Sequence, residues 1–124
     1  MKSTLRQGRG RTEISLQAFP LGKDVVVHIY NLAAHIGAVA LAEYDFQNMR
    51  ASVSVITRLG HKDDTIAQQS AYTICKATQK TVCVMAGVHL DEISREEIST
   101  LLHNANRVVE KYLAGQPKLE EPEK

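Results

Sequence analysis

With 124 residues and 44% hydrophobic content, the chain is long enough to bury one core and too short for two. Fifteen Lys and Arg against fourteen Asp and Glu leave a formal charge of +1, which excludes a nucleic-acid binder working through a broad basic surface; any anion site has to be local. No apolar run approaches the roughly 20 residues that cross a bilayer, and the N-terminus reads as no signal peptide, so the expectation is a cytoplasmic, reduced protein.

Residues 1–11 are basic and aperiodic and residues 116–124 are charged and proline-punctuated, so both read as flexible ends around a single domain over 12–115. Ile14, Leu16 and Ala18 alternate with polar neighbours, the period of a half-buried strand over Thr12–Phe19, and Pro20–Asp24 supplies a turn. Val25–Tyr30 is a β-branched strand, Asn31–Ile36 a connection, and Gly37–Tyr44 a third strand. Ala51–Thr57 alternates again, and the four strands together suggest an antiparallel meander. From Asp64 to Gln79 the period becomes helical, with Ala67, Ala71, Ile74, Cys75 and Thr78 on one stripe and Asp63 or Asp64 placed to cap the first amides. Thr81–Met85 is a short strand fit for the inside of the sheet. Ser94 and Glu97 then form a capping box ahead of a second helix, which carries an apolar stripe from Ile98 to Tyr112 and stops at Gly115.

The order β-β-β-β-α-β-α predicts an α+β fold: a mixed, mostly antiparallel five-stranded sheet with two helices on one face. The other face stays uncovered. Ala38, Ala40 and Ala42 share one side of their strand, and small residues there suggest a homodimer packed sheet against sheet. Cys75 and Cys83 sit in apolar surroundings on a helix and a strand and read as buried.

Chemistry concentrates in three islands, His35-Ile36-Gly37, Gly60-His61-Lys62-Asp63-Asp64 and Ala86-Gly87-Val88-His89, each where a strand meets a turn or a helix start. Three of the five histidines would thus share one rim; His28 and His103 read as structural. The second island opens a helix, where amides, Lys62 and His61 favour a phosphate while Asp63 and Asp64 oppose one. Gly87 ends a strand, where a residue without Cβ lets a ligand approach the backbone, and His89 reaches the same rim. Each island alone also fits an ordinary role: a capped helix start, a tight turn, a loop histidine. Three histidines with Asp63 or Asp91 suit a metal such as zinc, but their spacing matches no ligand signature, and neither a nucleophile elbow nor a glycine-rich nucleotide loop is present. A small metal-dependent enzyme acting at the histidine rim and a cofactor-free assembly chaperone gripping its partner through the open sheet face both remain open.

Together the three islands, followed by Ile93, resemble the LpdD-like family, the small D subunit associated with gallate decarboxylase. The resemblance implies a fold similar to small proteasome-assembly chaperones. It also implies a non-catalytic role: a chaperone or carrier for prenylated flavin mononucleotide (prenylated FMN) that supports UbiD-type aromatic acid decarboxylases, with plain FMN a weaker analogue. The matching positions are His35, Ile36, Gly37, His61, Lys62, Asp63, Ala86, Gly87 and His89. On this resemblance Lys62 and the amides after it would hold the phosphate, Gly87 would admit the flavin ring, and His35 or His89 would meet the ring's polar edge. His61 would orient the phosphate or a dimer partner. Ala34 departs from the family motif N-P-H-I-G, which has proline there.

Overall fold

The computed structural model describes residues 4–58 and 63–119. Among these, β1 (Thr4–Gln7), β2 (Ile14–Leu21), β3 (Asp24–Tyr30), β4 (Ala38–Asp45), β5 (Arg50–Thr57) and β6 (Val82–Gly87) form one sheet in the order β1-β2-β3-β6-β4-β5. α1 (Asp64–Thr78) precedes β6 and α2 (Arg95–Ala114) follows it. Only β3 and β6 run parallel; every other pairing is antiparallel, so the fold is the mixed, mostly antiparallel α+β type with two helices.

The sheet has six strands rather than five. Thr4–Gln7 lies within the end expected to be flexible, yet it pairs with β2 in register Leu5↔Leu16, and Lys111 Nζ donates to the Arg6 carbonyl at 2.7 Å. A four-residue strand with a single apolar side chain offers no readable alternation, which is why its sequence looks aperiodic.

The expected four-strand meander is also broken, because β6 inserts between β3 and β4. Two hairpins survive. Gly22 opens the two-residue turn between β2 and β3 with φ 61°, a left-handed conformation that suits glycine, and the Asp45 carboxylate accepts from the Gln47 and Asn48 amides in the β4–β5 turn. β6 takes the centre because it is apolar on both sides, with Val82, Val84 and Ala86 on one and Cys83 and Met85 on the other; such a run has nowhere polar to turn.

The alanine stripe faces the helices and not a second sheet. Ala38, Ala40 and Ala42 are fully buried and pair with Ala86, Val84 and Val82 on the face that α1 covers through Ile66, Ala67, Ala71, Ile74 and Cys75. Their size lets α1 approach the sheet, while Val39 and Leu41 project to the open side. That open face carries Val26, Tyr30, Val39, Leu41, Met85 and Ile56, with Leu41 51% and Ile56 74% exposed. Cys83 lies there too and is half-buried rather than buried, while Cys75 is buried; desolvation pushes both thiols up.

α2 begins as its sequence dictates. Glu97 N–H donates to Ser94 Oγ and Ser94 N–H to Glu97 Oε1, both at 3.1 Å, closing the capping box. The bond from the Ser94 amide holds the Glu97 carboxyl below its usual range, helped by Arg11, whose Nε lies 2.6 Å from Glu97 Oε2. α1 starts differently. Asp63 occupies the N-cap position, but its side chain makes no cap hydrogen bond to the first turn.

Candidate functional site

At one end of the sheet the carboxyl ends of β3, β5 and β6 meet the first residue of β4 and the starts of both helices, and here the described parts of the three islands converge. Gly37 joins them through its backbone. Its N–H donates to the Ala86 carbonyl at 2.8 Å and its carbonyl accepts from Arg58 N–H at 2.9 Å, extending the ladder one residue beyond β4. The Asp63 carboxylate packs on the Gly37 Cα where a side chain would stand, so glycine is required for closeness, its φ being ordinary.

Gly87 is closed off in the same way. A β-carbon there would overlap the His35 carbonyl oxygen, so the close approach that glycine permits is to the His35 main chain, the position expected for a ligand ring. The same carbonyl accepts from His28 Nε2 at 2.8 Å, which fixes the His28 tautomer, and His35 Nδ1–H donates to the Ala33 carbonyl at 3.0 Å. His28 therefore supports the loop carrying His35, from a strand position that reads as merely structural. The Ile36 side chain is exposed, and its carbonyl accepts from Arg58 Nη1 at 2.8 Å.

His89 is placed by Asn31. This asparagine is 1% exposed; its Oδ1 accepts from His89 N–H at 2.8 Å and its Nδ2 donates to the His89 carbonyl at 2.9 Å. The pair of bonds continues a strand-like ladder past the end of β3 and locks the segment after β6. The His89 ring itself is exposed, with Nε2 3.0 Å from Asp91 Oδ1, and Arg11 Nη2 donates to the Asp91 carbonyl at 2.6 Å.

Between α1, this segment and α2 lies a cavity of about 530 Å³. Asp63, Thr65 and His89 are its polar lining; Ile66, Val88 and Leu90 form its inner wall, and residues from Ile93 to Leu102 close the other side. The size suits a small organic ligand, and an aliphatic lining with polar groups at one edge suits an alkylated ring system. Among the described residues neither Phe nor Tyr lines it: Tyr30 packs on His28 at 4.6 Å on the open face, and Tyr44 and Phe46 pair at 4.8 Å at the far end of β4. Among the described residues no three His, Cys, Asp or Glu side chains are grouped to hold a metal, and no helix is long and apolar enough to cross a membrane.

The model of the prenylated flavin chaperone LpdD-like domain matches residues 8–116. The chain belongs to this LpdD-like family. A search of curated proteins finds no match. Among solved structures, one described as the crystal structure of a novel chaperone complex for yeast 20S proteasome assembly is similar over 92% of both chains, with 14% identity and a TM-score of 0.60, a likeness of fold.

Within this LpdD-like domain, Gly37, Asp63, Ala86, Gly87 and the His35 main chain form one packed knot, and of the seven expected positions among the described residues Asp63 and His89 line the cavity. His61 and Lys62 lie outside the described residues, as does Gly60. Sequence reasoning missed Asn31 and the aliphatic wall. A signal for the wall existed: the capping box fixes where α2 starts, which sends Ile98, Leu101 and Leu102 to the first two turns, beside the segment after β6.

Proposed function

We propose that this chain is a non-catalytic, cytoplasmic carrier of prenylated FMN that hands its cargo to a UbiD-type aromatic acid decarboxylase and works as a homodimer. The cavity carries this reading: in a member of the prenylated flavin chaperone LpdD-like family, it joins an aliphatic interior to a polar edge at the strand ends. The flavin's reactivity is exercised in the recipient enzyme, and the residues here bind, orient and release it. Lys62 and the amides after it would take the phosphate, an arrangement supported by an Asp63 side chain that turns to Gly37 and leaves α1 without a side-chain cap. His61 would orient that phosphate or the dimer partner, and His89 or His35 would meet the polar edge of the ring. Raised thiol pKa values at Cys75 and Cys83 speak against cysteine nucleophiles and support a carrier over an enzyme.

A carrier has to let go, so affinity near micromolar, about −8 kcal/mol, suits it better than binding a thousandfold tighter. Anaerobic titration with reduced prenylated FMN, then mixing with an apo-decarboxylase, is expected to show saturable binding and recovered activity, with plain FMN binding more weakly. Lys62→Ala should weaken binding without moving Tm. Equal affinity for riboflavin and FMN would remove the phosphate role. Absence of any binding would leave an assembly factor that works through protein contacts alone.

The homodimer would form through the open face, where Leu41 and Ile56 stand exposed beside Val39 and Met85. Sedimentation at micromolar concentration should give a dimer, and Ile56→Asp, which puts a charge at a 74% exposed site, should give a folded monomer. A monomeric wild type would end this part of the proposal.

A further inference from the structure

The apolar stripe of α2 divides in two. From Leu101 to Tyr112 its members are buried against the sheet and α1, except that Leu102 is only half-buried; ahead of it Ile98 is 44% exposed, and Ile93 before the helix 37%. Ile93 and Ile98 turn to the cavity, and Leu102 lines it while its other side packs against the core; the three face Ile66 and Val88 across it. Aliphatic surface left open on a cavity wall, within a chain whose helical stripes are otherwise covered, marks a surface kept for a ligand.

We propose that these three side chains are the specificity-determining wall of the carrier, seating the alkyl-derived part of a modified flavin and so separating it from unmodified FMN. The inference rests on the carrier reading and adds to it the residues that discriminate. Two observations fix the ligand chemistry. The α2 wall is wholly aliphatic and among the described residues neither Phe nor Tyr lines the cavity, so a flat ring gains no stacking from that wall, whereas each added saturated carbon removed from water is rewarded, by about fourfold in affinity per methylene. The polar lining, Asp63, Thr65 and His89, comes from the start of α1 and the end of β6, away from the α2 wall, so the ligand's polar edge faces the strand ends and its alkyl-bearing edge faces α2.

The test is anaerobic titration of the full chain with reduced prenylated FMN and with FMN, for wild type, Leu102→Phe, which fills the cavity, and Ile98→Glu, which places a charge at its exposed mouth. Both variants are expected to lose at least tenfold in affinity for prenylated FMN and less than threefold for FMN, while the wild-type Ile98 and Leu102 methyl resonances shift on adding prenylated FMN and not on adding FMN. Equal weakening toward both flavins, or no weakening in a folded Ile98→Glu variant, overturns the wall as the source of discrimination while leaving the carrier reading intact. A wild type that binds neither flavin overturns both.

Discussion

Gly87→Ala is expected to damage this chain severely for a change of one methyl group. The added β-carbon would overlap the His35 carbonyl oxygen, stand 2.6 Å from the carbonyl carbon behind it and 3.2 Å from Cγ of the His35 ring. The first two are main-chain atoms, so relief requires moving the loop between β3 and β4 away from the end of β6. That motion would stretch the bond from His28 Nε2 to the same carbonyl and the bond from Asn31 N–H to the Gly87 carbonyl, now 3.3 Å. Overpacking of this kind costs about 3 kcal/mol, a fall in Tm on the order of 10 °C for a chain of this size. Gly37→Ala should cost less: its β-carbon meets chiefly the Asp63 carboxylate, the end of a side chain, although the Ala86 carbonyl at 3.1 Å adds crowding. Thermal melts of the two variants decide it. A Gly87→Ala protein that melts within 2 °C of wild type, or one more stable than Gly37→Ala, would show that the loop carrying His35 yields without cost.

The contrast between these glycines shows what was legible in the sequence. That Gly37, Gly87, His35 and His89 share one end of the sheet follows from strand and helix periodicity alone, since each of their islands sits where a period changes. What fills the space beside each glycine does not follow, because it depends on a crossing of chain segments far apart in sequence. The alanine stripe failed for a related reason. Period two says that Ala38, Ala40 and Ala42 share a face, and nothing local says which face; only the register with Val82, Val84 and Ala86 under α1 settles that. α2 was readable almost to its ends because its capping box and stripe are local signals, whereas β1 was lost because one leucine in four residues has no period. The cavity escaped because its wall reads as ordinary helix core: Ile98 and Leu102 obey the same spacing as Leu101 and Ala105, and only the packed structure leaves Ile98 exposed and Leu102 half-covered on the cavity wall.

Asn31→Ala should lower stability by about 2 to 3 kcal/mol and, separately, loosen the site. The side chain is buried and makes both of its hydrogen bonds to the main chain of one residue, His89, which no aliphatic replacement can reproduce. Removing it strands a donor and an acceptor, and each buried group left unsatisfied costs about 1 to 3 kcal/mol, less where water enters beside the exposed His89 ring. Because Val88, His89 and Leu90 line the cavity, their amides should lose protection from hydrogen exchange while those of α2 keep theirs, and ligand affinity should fall with them. Asn31→Asp separates the two bonds. The carboxylate still accepts from His89 N–H but points an oxygen at the His89 carbonyl, and burial further disfavours the charged form, so its pKa in the folded state lies above that in the unfolded chain. The folded state then holds the proton more tightly, and the variant regains stability as pH falls, its protonated form donating where the amide did, and loses it as pH rises through the raised folded pKa. A stability difference from wild type that does not change with pH, or unchanged exchange at His89, would show that the segment after β6 is held by its aliphatic contacts and not by Asn31.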